Sequence, residues 1–158
     1  MTATAENSFF LRMKSGESLN VLLSVTGEKR TADSDESETV RVVTVGKYTR
    51  LPEGWKLQYT ESDPDGTASQ EIVLTLTGEQ AVMERAGAYS TTMVFEKGRR
   101  FDGTYHTPWG GLAMGVYTTQ VLFTCEKEQG ILKLVYQVDI QGQFAAMHDL
   151  TIRFASNE

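Results

Sequence analysis

Glu61 and Arg85 are the two side chains best placed to do chemistry together. In "WKLQYTE", residues 55–61, Trp55, Leu57, Tyr59 and Glu61 fall on one face of an alternating segment, with Lys56, Gln58 and Thr60 opposite. Arg85 lies in line with Ala81 and Met83. Successive side chains of a strand point to opposite faces, so each charged group sits on an apolar face. An ionised group there is costly unless it is paired or neutralised. The expectation is that the carboxylate and the guanidinium turn into one interior and meet, directly or through water. Such a pair can be a polar anchor for an amphipathic ligand. It can instead be an acid–base device, with Glu61 shifted by burial and steered by Arg85. The plain alternative is an ion pair that only fixes strand register.

Tyr59, Tyr105 and Tyr136 are placed inward by the same parity, and a phenol offers a cavity both apolar area and one hydroxyl. They also suit an ordinary packed core. Thr107 shares the face of Tyr105 and Phe101. Trp109 stands in "YHTPWGGLAMGVYT", where Pro108 cannot donate to a sheet ladder and Gly110 and Gly111 open backbone angles closed to other residues. That puts Trp109 at the tip of a tight hairpin, either folded over the mouth of a barrel or plugging a corner of the core. Tyr59, Glu61, Arg85, Tyr105, Thr107, Trp109 and Tyr136 form the candidate ligand-binding set. His148 shares a face with Leu150, Ile152 and Phe154 and reads as a satisfied core residue, whereas His106 sits with Arg100 and Asp102 on a polar face.

Other chemistries find little support. "ESDPDGTASQEI", residues 61–72, has acidic groups in the early positions of a calcium loop, but its twelfth residue is Ile72, Pro64 intrudes and strands flank it, so a hairpin turn is expected. No phosphate-cradling loop, nucleophile elbow or zinc motif is present, and no metal or cofactor is expected. Cys125 is the single cysteine and lies in the alternating "VLFTCEKE", which reads as a buried structural thiol. The net charge of −6 disfavours nucleic acid and anionic membrane surfaces as partners. The one dense basic cluster is Lys97, Arg99 and Arg100, and a packed scaffold touching a protein partner through this hairpin is a third reading. A homodimer is left open. The first residues lack a basic leader, and no segment approaches the length of a membrane span, so the cytoplasm is the expected compartment.

What must position these residues is a series of strands. From Leu19 onward the apolar pattern has period two, in "EIVLTLTG", "YSTTMVFEKG", "ILKLVYQVDI" and "HDLTIRF" among others. Turn signals recur at hairpin spacing at 52–54, 63–66, 77–79, 96–98 and 128–130. The acidic "TADSDESE", residues 31–38, reads as a solvated loop, and broken alternation at residues 117–120 predicts a bulge. An all-β, antiparallel, up-and-down barrel of about 8–10 strands removes exposed edges most simply, with a two-sheet sandwich as the runner-up. The expected organisation is an extension over residues 1–18 followed by one domain over 19–158.

The motifs in order, "YTES", "VMERAGAY", "MVFEKG", "YHTPWGGLAMGVYTT" and "ILKLVYQV", resemble the YwiB-like family of small bacterial proteins over roughly residues 40–155. The pattern falls on Tyr59, Glu61, Arg85, Gly87, Phe95, Tyr105, Thr107, Gly110, Thr118 and Tyr136, with Trp109 where the family has a smaller aromatic. The resemblance implies a calycin-like barrel, akin in shape to lipocalins, and carries no assigned activity. A closed barrel of eight or more strands can leave room for one ligand, so a binding protein is expected ahead of an enzyme. The ligand would be a small apolar or amphipathic molecule in the barrel interior.

Overall fold

Strict alternation lets many strands share one inside, and the chain uses it throughout. The computed structural model describes residues 9–157 apart from 32, 34–35, 63–68 and 127. Among the described residues one helical turn, α1 (Phe9–Arg12), precedes ten strands. These are β1 (Ser18–Thr31), β2 (Ser37–Leu51), β3 (Gly54–Ser62), β4 (Ser69–Thr77), β5 (Gln80–Ala86), β6 (Thr91–Glu96), β7 (Arg100–Thr107), β8 (Gly110–Glu126), β9 (Gln129–Ile140) and β10 (Gln143–Ser156). They form one antiparallel sheet in the order β6-β5-β4-β3-β2-β1-β10-β9-β8-β7. Every neighbour in sequence is a neighbour in space, and β1 also pairs with β10 along its length, from Val21↔Ser156 to Thr31↔Ala146.

The sheet curls until its end strands β6 and β7 meet, giving a nearly closed barrel. The seam between them is pinned rather than laddered. Ser90 and His106 exchange both backbone bonds, at 3.0 and 2.8 Å, at one end. At the other, Gly98 N–H donates to Thr118 O at 2.8 Å and Thr118 N–H to Arg99 O at 3.2 Å. Between them the Thr91 hydroxyl donates to Thr104 O at 3.3 Å. The expected bulge is present: pairing of β8 with β9 slips between Thr118 and Gln120. The β2–β3 ladder starts at Gly46↔Tyr59, so among the described residues β2 from Ser37 to Val45 pairs on its β1 side alone.

The inner faces are full. Leu23, Tyr48, Trp55, Leu57, Ile72, Leu74, Met83, Phe95, Leu132, Leu134 and Phe154 are all fully buried inside. Burying a large apolar side chain stabilises the fold by roughly 1.5–3 kcal/mol. One end of the barrel is stopped by Phe10 of α1, which packs against Tyr48 and Phe154. Residues from the expected extension thus join the core of the barrel. Cys125 is buried, and the loop after β1 leaves Asp33 and Glu36 exposed. The turn expected at 63–66 lies outside the described residues.

Candidate functional site

Two inward-facing rows of side chains build the site, one on each wall. On the first, the register aligns Tyr59, Ile72, Arg85 and Thr91 across β3, β4, β5 and β6. One inward step along β3 and β4 brings Glu61 opposite Gln70. On the second, Thr118, Tyr136, His148 and Lys29 align across β8, β9, β10 and β1. Both rows lie toward the barrel end away from α1.

The expected ion pair forms. Arg85 Nη1 lies 2.9 Å from Glu61 Oε1 and also donates to Gln70 Oε1 at 3.2 Å. Their side chains are only 26% and 29% exposed. Burial opposes the charge on Arg85, yet the charge and hydrogen bond of Glu61, with the phenols of Tyr59 and Tyr136, outweigh it and raise its proton affinity. Tyr59 is deeply buried, and desolvation, reinforced by the Glu61 charge, pushes its phenol well above the usual range. Tyr136 is pushed up to about 12, again chiefly by burial. Its ring packs 4.6 Å from Phe95 and lies nearly parallel to the His148 imidazole at 5.0 Å. His148 is lowered to about 4, first by burial and then by the positive charges of Lys29 and Arg85. Near neutral pH the site therefore offers protonated phenols and a neutral imidazole around one ion pair.

Thr118 sharpens the picture. It is 0% exposed, and its Oγ1 has no hydrogen-bond partner among the described residues. Buried hydroxyls are ordinarily satisfied, so an unmatched one beside Tyr136 is a polar contact waiting for a mate. On the outside, an open groove of about 490 Å³ runs along the β6–β7 seam and reaches Arg85. Glu84, Thr91, Thr92, Asp102, Gly103 and Thr104 are among its walls.

The structure brings Tyr59, Glu61, Arg85 and Tyr136 together. The others of the candidate set stand apart, on the β7–β8 hairpin. Tyr105 is half-buried and stacks on Tyr89 at 5.9 Å. Thr107 accepts from Trp109 N–H at 3.1 Å and donates to Gly110 O at 2.8 Å, so its hydroxyl shapes its own turn. Trp109 is 83% exposed with Tyr89 6.4 Å away, which rules out the idea that it plugs a corner of the core. A tryptophan between Pro108 and two glycines has no wall beside it to enter. Gln70 and Thr118 are missing from the candidate set, although Gln70 is in phase with Ile72, Leu74 and Leu76. Two of the three basic residues of the hairpin are matched by carboxylates: Arg99 lies 3.5 Å from Glu96, and Arg100 bonds Asp102 at 3.1 Å and Asp139 of β9 at 2.5 Å.

A nearly closed barrel of sequential antiparallel strands with a polar cluster on its inner face is the class that these features define. A family model described as "Domain of unknown function (DUF1934)" matches residues 23–152, and the chain belongs to that family. The crystal structure of the ywiB protein from Bacillus subtilis is similar in fold, with a TM-score of 0.76 at 19% identity, over 89% of this chain and 94% of that one. No curated protein matches the chain. Among the described residues no helix is long and apolar enough to cross a membrane.

Proposed function

We propose that the chain is a non-enzymatic binding protein for a small amphipathic molecule, held at the polar end of the barrel and reached along the β6–β7 seam. The observation that carries this reading is the inward Glu61–Arg85 pair grouped with the buried phenols of Tyr59 and Tyr136. The buried Thr118 hydroxyl, opposite Tyr136 in the register, adds a polar group with no partner among the described residues. The pair carries no net charge, and the surrounding phenols and imidazole are neutral. The favoured polar head is therefore uncharged, with both donors and acceptors, such as a hydroxyl or an amide. The apolar remainder lies in the groove along the β6–β7 seam, since the inner faces are already filled.

The test is native mass spectrometry of the chain purified from its own host, beside the variant Arg85→Met. The expected outcome is a non-covalent small-molecule adduct on the unaltered chain, strongly depleted on the folded variant. Bare protein in both samples, or equal occupancy in both, would overturn the proposal.

A further inference from the structure

The opposite end of the barrel holds a second arrangement of this kind, filled by the chain itself. α1 is one helical turn, and so short a helix has almost no stability of its own. What fastens it is Phe10. The ring is fully buried, with centroids 4.8 Å from Tyr48 and 5.0 Å from Phe154. Trp55 packs against the same two rings at 6.1 and 5.3 Å, and Phe123 lies 4.9 Å from Trp55. The cage also has two polar donors. Tyr48 Oη donates to the Phe10 carbonyl at 3.2 Å. Trp55 Nε1 is buried and has no hydrogen-bond partner among the described residues. A buried indole N–H ordinarily finds an acceptor, so this one marks a place where an acceptor belongs.

A short link through Gly16 joins the helical turn to the barrel. Gly16 N–H donates to Arg50 O at 2.7 Å and Arg50 N–H to Glu17 O at 2.9 Å, which anchors the segment at residues 16–17. Gly16 holds φ +91, in the region that favours glycine, with open space where a side chain would stand. Beside this hinge an open groove of about 440 Å³ is lined by Arg12, Met13, Glu17, Ser18 and Leu19.

We infer that Phe10 is an internal stand-in for a ligand, and that the cage of Tyr48, Trp55, Phe123 and Phe154 is a second binding site. Its ligand class is a small aromatic molecule carrying a carbonyl or carboxylate oxygen. The guest ring takes the place of the Phe10 ring as α1 swings out about Gly16. Its oxygen then accepts from Tyr48 Oη, in place of the Phe10 carbonyl, and from Trp55 Nε1. Because the turn competes for the cage, the apparent affinity of the intact chain is lowered by the fraction of molecules with the turn released.

Phenylacetamide, which has a ring and a carbonyl, is the probe; ethylbenzene, with the ring alone, is the control. In a Trp109→Phe background Trp55 is the only tryptophan and reports on the cage. Phe10→Ala is expected to bind phenylacetamide at least about tenfold more tightly than the parent, and adding Tyr48→Phe should weaken that binding about fivefold. A folded Phe10→Ala chain whose Trp55 emission answers equally to both compounds, or to neither, would overturn the proposal. Hydrogen exchange on the unaltered chain tests the hinge without any variant. The Met13 amide, which donates to Phe10 O at 3.4 Å, is expected to exchange at least about 100-fold faster than the Leu23 amide of β1. Equal rates would mean that the turn leaves only when the barrel unfolds, and would overturn it as well.

Discussion

His148 shows how much a barrel wall can do to one side chain. Its imidazole stacks on Tyr136 and is held neutral, with a pKa of about 4. In an unfolded chain the value is roughly 6.5. As pH falls, the unfolded chain takes up the proton first, so this contribution is complete above about 6.5 and is lost toward about 4. The side chain is partly exposed, and solvent screening limits the loss to about 1–2 kcal/mol. Denaturant midpoints at pH 7 and pH 4.5 should therefore lie closer together in His148→Phe, which keeps the stack and cannot be protonated, than in the unaltered chain. A gap of the same size in both would show that the histidine does not set this window. At this scale the sequence is legible where a charged residue breaks an apolar face, as Glu61 and Arg85 do. It is less so for His148, whose inward direction follows from parity but whose stack on Tyr136 needs the β9–β10 register. The inward place of Thr118 is legible from its phase with Met114 and Val116, but its lack of a hydrogen-bond partner is not, because that depends on which side chains the barrel brings beside it.

Among the elements, β9 and β10 meet at a contact that only glycine allows. Gly130 lies opposite Phe154, and the Phe154 ring lies where a Gly130 side chain would go. That ring is also part of the aromatic cage under α1. Gly130→Ala would force Phe154 out of its rotamer or part the strands, at a cost of about 1–3 kcal/mol. Thermal melts followed by circular dichroism should show the lowered midpoint, whereas Gly78→Ala, in open space but at φ +60, probes backbone strain without the clash. Strand existence was readable because period two is a local property, and the hairpin turns were readable because their glycines and prolines have fixed uses. The docking of α1 was not, since a single turn has no periodicity and Phe10 reveals its role only through partners at 48 and 154. The hairpin bearing Trp109 was placed correctly at a tip, but the exposure of that ring depends on the course of the seam next to it.

For the molecule as a whole, closure was legible in the sheer number of alternating strands, which would otherwise leave long bare edges. Its imperfection was not. The ladder fails between β6 and β7, where the chain is continuous through residues 97–99, and holds firmly between β1 and β10, which lie at opposite ends of the described chain. Hydrogen bonding and covalent connection thus open the ring at different places. Pairing of β1 with β10 spans nearly the whole chain, and contacts so remote in sequence form slowly because the intervening loop must be closed first. As the polypeptide leaves the ribosome, β1 through β9 would present an uncovered β1 flank until the last strand emerges. A version stopped before Gln143 is accordingly expected to show no cooperative melt, and refolding of the full chain should be limited by arrival of β10. The barrel is a clasp whose final tooth, β10, is translated after every other strand, so the β1 flank stays bare longest.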